Sequence, residues 1–247
     1  MYEYKAVHDK YQFNASNQIA ADSSGNAYYA NTAPLPNVDD AQRAACTVPG
    51  ALDGSRSECM WKNDSDAAIP GIFGPGKLPF LIRKDFVVNM NDSYWLSNPL
   101  APLTGFDSSI GSVETERSFR TRSGIVQVQK RIAGTDGKGV PKFTLEYLQQ
   151  LITDNVAYTG QVLRDDLVTL CQNNPQVTLP DSTVVDISAA CPVLAAWDLR
   201  TNLDSRGAHL FREFAGAGGT RNYRVPFDVN DPVNYMEIGR ASCRERV

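Results

Sequence analysis

Apolar positions along this chain recur with short spacing in its first half and with helical spacing in its second. Ile19 to Ala30 reads as strand, turn, strand, because Asp22, Ser23 and Gly25 bond locally or accept positive φ. From Asn31 to Gly76 the chain is rich in Pro, Gly, Asp and Ser with little periodicity, which predicts a long loop region. Phe86 to Asn91 is a short apolar strand that runs into polar residues. Val113, Phe119, Ile125, Val128 and Ile132 recur near helical spacing and predict a helix within Val113–Ala133. Thr144 is a good N-cap for a helix through Ile152, with Glu146, Gln149 and Gln150 on its wet side. Ala157 to Cys171 continues as a second helix through Val162, Leu163, Leu167 and Leu170, and Ser188–Leu199 and Gly207–Phe214 predict shorter ones. The fold class is α+β, with strands early and helices in the second half.

Charge and composition narrow the partners. The 247 residues carry 24 basic and 28 acidic side chains, a net charge of −4, which gives no basis for nucleic-acid binding. No apolar run approaches the length of a membrane span, and Met1 to Phe13 lacks the apolar core of a signal peptide. The last eleven residues, Glu237 to Val247, translate one frame of a common short-read sequencing adapter. They are read as adapter read-through, so residues 1–236 are the native segment and the chain is expected to be a gene fragment.

Setting that tail aside removes Cys243 and leaves Cys46, Cys59, Cys171 and Cys191. Neither local pair has the spacing of a zinc ribbon or a redox motif. Three connectivities are open, and four buried free thiols are the alternative. Pairing near neighbours is the simplest, because each bridge clips one Gly/Pro/Asp-rich loop. Disulfides point to the periplasm or the cell exterior.

Most catalytic signatures are absent. His8 and His209 sit beside no nucleophile and read as structural or surface residues. Gly216 to Gly219 follows a helix, not a strand, so it is a helix exit and not a phosphate loop. Asp39-Asp40 and Asp165-Asp166 are adjacent acids, which point to different faces and read as solvated charge. No metal or other cofactor is called for. The informative stretch is Asn89 to Pro99, which sets carboxamides beside aromatics at a strand end. Carboxamides there form turns, and they also serve as oxyanion-hole donors.

Asn89-Met90-Asn91-Asp92-Ser93 resembles the oxyanion segment in the β-chain of penicillin-acylase-type N-terminal nucleophile hydrolases. Four further segments lie in the same order and spacing: Leu52 to Trp61, Pro70 to Pro75, Gly134 to Gly137 and Leu203 to Ala208. Together they are similar to the aculeacin A acylase and acyl-homoserine lactone acylase branch, from about Ala20 to Pro232. The resemblance implies a fragment of an αββα four-layer fold. It also implies a secreted precursor that cuts itself into two chains, an α-chain and a β-chain. In that family the new β-chain N-terminal residue is both nucleophile and, through an α-amine of pKa near ~8, base. The substrate is then a small N-acyl amide, such as an acyl-homoserine lactone or an acylated antibiotic.

By the same resemblance Asn91 matches the oxyanion-hole residue, and Asn89, on the same face of a strand, is held in reserve as substrate-binding. Arg117 matches the arginine that supports the active-site network; Arg120 and Arg122 lie close by, and any of the three can simply cover a helix. Met1 is no N-terminal nucleophile, so the resemblance begins part-way into a β-chain and the fragment is expected to be inactive by itself. Its partners are the α-chain and the rest of the β-chain. Two other readings stay open: a disulfide-stapled binding or structural domain, and an acylase scaffold that has lost its nucleophile.

Overall fold

The computed structural model describes residues 1–12 and 16–218. The tail Glu237–Val247, Gly219 and the end of the matched region at Pro232 lie outside the described residues. The chain divides into two compact units, Met1–Ile125 and Val126–Val247. Helix and sheet are mixed, as an α+β class requires.

The first unit is built on a three-stranded antiparallel sheet. Strands β1 (Gln18–Ala21) and β2 (Ala27–Ala30) pair through Gln18↔Ala30 and Ala21↔Ala27. Asp22 closes the turn between them by accepting the Ser24 and Asn26 N–H groups at 3.0 and 2.9 Å. Phe80–Arg83 adds the third strand on the far side of β2. Tyr29, Phe73, Leu78, Tyr94 and Ile110 form the core against it.

Three features depart from the sequence pattern here. A helix, α1 (Tyr2–Tyr11), opens the chain. It buries only His8, so no apolar stripe announces it. A Lys5–Asp9 pair and the left-handed Gln12, whose N–H bonds the His8 carbonyl, hold it instead. The long loop region holds a second helix, α2 (Asp40–Cys46), and a small hairpin of β3 (Thr47–Val48) and β4 (Ala51–Leu52). Cys46 is bonded to Cys59 there, with Cα atoms 5.8 Å apart. Finally, Phe86–Asn91 is not a strand; the apolar run that joins the sheet is β5 (Phe80–Arg83), just upstream. Arg83 grips Asp85 through two bonds of 2.9 and 2.7 Å and turns the chain out of the sheet. Beyond it, the extended segment makes single bonds, Val88 N–H to Ser97 and Asn98 Nδ2 to the Phe86 carbonyl, both 2.8 Å.

The predicted Val113–Ala133 helix is α3 (Phe119–Ala133) and starts six residues later, because Ser118 Oγ accepts the Thr121 N–H as an N-cap. The boundary between the units falls within α3, after Ile125. In the second unit, α4 (Leu145–Thr153) starts at Thr144, whose side chain accepts the Tyr147 N–H. Glu146, Gln149 and Gln150 are exposed on it. Next come α5 (Tyr158–Asn173), the hairpin β6 (Gln176–Thr178) and β7 (Val184–Asp186), α6 (Ala190–Ala195) and α7 (Ala208–Gly218). The hairpin was not predicted: its residues are all exposed, so no buried alternation marks it. Cys171 and Cys191 are bonded across it, tying α5 to α6.

Candidate active site

The Asn-rich segment is a turn locked by its own side chains. Asn89 Oδ1 accepts the Asn91 N–H at 2.8 Å, and Asn89 Nδ2 donates to the Asp92 carbonyl at 3.0 Å. An Asn side chain that bonds backbone two and three residues on replaces a strand with a turn. Asn89 therefore does not share a strand face with Asn91; its amide is spent on the turn. Asn91 takes a left-handed backbone at φ 55°, which Asn tolerates better than most residues, and its side chain is exposed. Ser93 then caps the 3-10 turn Tyr94–Leu96, whose three side chains are buried.

Three arginines precede or open α3, and the structure gives each a different task. Arg117, 4% exposed, donates to Asp92 Oδ1 at 2.6 Å, to the Thr115 carbonyl at 3.0 Å and to Ser112 Oγ at 3.2 Å. Its guanidinium lies over the Trp95 ring, 5.2 Å from the centroid. Burial pulls its pKa below the ordinary arginine value, and Asp92 opposes that pull. Arg117 thus covers no helix; it pins the Asn-rich turn. Arg122, equally buried, donates Nε to the Arg117 carbonyl at 2.8 Å and Nη2 to Glu116 at 2.7 Å. Arg120 is the exposed one, and its Nη1 donates to Asn91 Oδ1 at 3.0 Å.

The Arg120 contact decides how Asn91 is presented. A guanidinium only donates, so the Asn91 atom facing it must be the carbonyl oxygen. That leaves the Asn91 NH₂ outward and available as a donor. A carboxamide with its oxygen tethered, its backbone pinned and its NH₂ exposed is suited to hold a developing oxyanion. Behind the turn, the cavity walled by Val88, Met90, Leu96, Arg117 and Thr121 measures about 10 Å³. That is room for about one water and for no organic substrate, so the NH₂ can meet a substrate only on its outer side.

Of the residues singled out from sequence, Asn89, Asn91 and Arg117 come together here, Arg117 through Asp92 and not through Asn91. The cysteines form the two local disulfides elsewhere. His8 is buried against Tyr4, with ring centroids 4.4 Å apart, and His209 is exposed beside Glu213. Asp165 is exposed beside Arg164. The other acid pair is less idle than solvated charge: Asp39 caps α2 by accepting the Gln42 N–H, and Asp40 bonds Arg43 and Ser108. Gly216 and Gly218 lie within α7. Among the described residues no three His, Cys, Asp or Glu side chains gather as metal ligands. Sequence reasoning missed Asp92, Arg120 and Thr121. No spacing marked them, because Arg117 lies before the Ser118 N-cap, outside the helix that carries Arg120 and Thr121.

Comparison with known proteins gives consistent matches. The family model described as Penicillin amidase matches residues 1–223. Aculeacin-A acylase of Actinoplanes utahensis is 46% identical over 242 residues, which covers 93% of this chain and 30% of that protein. Acyl-homoserine lactone acylase PvdQ of Pseudomonas putida is 34% identical over 225 residues, covering 87% of this chain and 27% of its own length. The enzyme of the same name from Pseudomonas syringae pv. syringae is 36% identical over 228 residues, covering 88% and 28%. This chain therefore spans less than a third of the length of these relatives.

Proposed function

Because the chain belongs to the penicillin amidase family, we propose that it is part of the β-chain of an acylase that hydrolyses the amide bond of an N-acyl substrate by an N-terminal nucleophile mechanism. The relatives are named as acylases of aculeacin A and of acyl-homoserine lactones, and N-acyl compounds of these kinds are the substrate class proposed here. The observation that carries the reading is the Asn91 amide, tethered through its oxygen by Arg120 at 3.0 Å with its NH₂ exposed.

The chemistry runs in two halves. A hydroxyl at the start of the complete β-chain attacks the amide carbonyl while its own α-amine takes the proton. The carbonyl oxygen becomes an oxyanion, and Asn91 Nδ2 donates a hydrogen bond to it. The tetrahedral species collapses, the amine leaves with the proton, and an acyl ester remains on the enzyme. Water attacks that ester by the same route and releases the carboxylic acid. Arg117 and Asp92 take no part in bond making; they hold the backbone from which Asn91 projects.

The remaining expectations belong to the same proposal. The nucleophile, the backbone oxyanion donor and most of the acyl pocket are assigned to chain outside these residues, so this segment alone has no turnover. Its partners are the α-chain and the rest of the β-chain, completing an αββα arrangement. Residues 1–236 are the native part and Glu237–Val247 are adapter read-through. The two disulfides support an oxidising compartment, periplasmic or extracellular, and among the described residues no helix is long and apolar enough to cross a membrane. The test is acyl-amide turnover by the complete, processed enzyme with and without Asn91→Ala. Turnover that survives the substitution undiminished rejects the assignment.

A further inference from the structure

Asn91 stands on an exposed turn, and an oxyanion donor must be held within about 0.5 Å of its productive position to be effective. Its NH₂ is oriented by Arg120, yet Arg120 is itself an exposed side chain at the second position of α3. Whether Arg120 holds Asn91 depends on how firmly the first turn of α3 is fixed against the Asn-rich turn.

The fixing group is buried beside it. Thr121, the next residue, is 4% exposed and donates its hydroxyl proton to Asp92 Oδ2 at 2.6 Å. The other oxygen of Asp92 accepts Arg117 Nη1 at 2.6 Å and the Ser93 N–H at 2.8 Å. Thr121 has one hydroxyl proton and spends it on Asp92. Its oxygen therefore accepts from Ser118 Oγ, 3.0 Å away, which is the N-cap of the same helix. The relay runs Ser118 to Thr121 to Asp92, and its acid end lies at the positive end of α3. Asp92 is adjacent to Asn91 on one strand of the clamp, and Thr121 is adjacent to Arg120 on the other.

We infer that Thr121 is a positioning residue for the proposed amide hydrolysis: its hydroxyl, bonded to Asp92, registers the first turn of α3 so that Arg120 keeps the Asn91 NH₂ aimed at the oxyanion. This rests on the acylase reading of the site. Replacing the hydroxyl by a methyl group, as in Thr121→Val, fills nearly the same space but frees Asp92 Oδ2 and loosens the turn that carries Arg120.

The experiment measures kcat, KM and Tm of the complete, processed enzyme on one N-acyl amide for Thr121→Val, Thr121→Ser, Asn91→Ala and the Thr121→Val/Asn91→Ala double variant. Thr121→Val is expected to lower kcat by roughly 10- to 100-fold, the cost of a small misplacement, with KM changed by less than about twofold. Thr121→Ser restores kcat, and the double variant is no slower than Asn91→Ala, because Thr121 acts through Asn91. A kcat for Thr121→Val equal to wild type, or a loss that adds in full to that of Asn91→Ala, overturns the inference. If Thr121→Val does not fold, the exposed change Arg120→Met decides by the same double-variant comparison. If Asn91→Ala alone leaves kcat unchanged, the acylase reading of the site fails first, which is a different result from the failure of Thr121.

Discussion

Asn91→Ala removes one donor and keeps the hydrogen bonds that shape the turn, which run through the Asn91 N–H and through Asn89, while alanine at φ 55° adds about 1 kcal/mol of backbone strain. In the complete enzyme the expected loss in kcat is about 10²–10³-fold, with Tm lowered only by the small cost of alanine at positive φ. Arg117→Ala has the opposite signature. It strips a buried guanidinium from Asp92 and from the Trp95 ring, and breaking a buried pair costs about 3–5 kcal/mol. Denaturant unfolding is expected to show that loss, and Arg117→Lys does not repair it, because a single ammonium cannot reach Asp92, Thr115 and Ser112 together. A mild Arg117→Ala phenotype in stability would mean that the pair with Asp92 is not what pins the turn. The residue type at each of these positions was readable from the sequence. The allocation of partners was not: three arginines within six residues offer the same fork, and only packing decides which is buried, which is bridging and which stays wet.

Elements formed where local signals agreed. Thr144 caps α4 through the Tyr147 N–H as its side chain dictates, and the Asp22 turn joins β1 to β2. Elements were missed where stability comes from non-local contacts, as in α1, whose last residue is followed by Gln12 with its amide bonded to the Phe73 carbonyl, 61 positions away. A close approach within the second unit gives a test at this scale. Gly160 on α5 faces Trp197 so closely that an added Cβ would sit 2.5 Å from the indole ring. Trp197 is itself locked, 3% exposed with Nε1 donating to the Arg200 carbonyl at 2.8 Å and its ring 4.9 Å from Phe211. Gly160→Ala is therefore expected to destabilise by about 1–3 kcal/mol despite improving helix propensity. A Tm equal to or above wild type would show that Trp197 yields.

Across the whole molecule, covalent and electrostatic clamps supplement small cores. Each disulfide closes a short loop, 13 residues for Cys46–Cys59 and 20 for Cys171–Cys191. Loops of that size contribute about 3 kcal/mol each by restricting the unfolded chain. Chaotrope midpoints measured with and without reductant are expected to differ accordingly, and an unchanged midpoint would remove the disulfides from the account. Acid stability follows from carboxylates held below their ordinary range. The Arg83 fork lowers Asp85. Burial alone would raise Asp154, but Lys138 and Arg200 outweigh it. A lowered folded-state pKa adds stability above the unfolded value and loses it as pH falls. Tm is thus expected to decline on acidification below about pH 4. A Tm still level at pH 3 would contradict the role of these pairs.

What the sequence by itself determined was local and chemical: the strand–turn–strand at Ile19–Ala30, the helix capped by Thr144 and the one that follows it, and the Asn-rich segment with its family resemblance. Each depends on groups a few residues apart, where the covalent chain limits the alternatives. Tertiary structure decided the rest. Of the three open cysteine connectivities, the fold chose the neighbour pairing. Phe86–Asn91 is as apolar as a strand, but the sheet edge was taken by Phe80–Arg83, and a single slot admits one of two adjacent segments. Asn89 became a turn former because its amide was closer to the Asn91 and Asp92 backbone than to any ladder. Asn91 acquired a direction only when α3 brought Arg120, 29 positions away, to its oxygen. Burial and ion pairing across such separations depend on the packed chain as a whole, and no period or spacing encodes them.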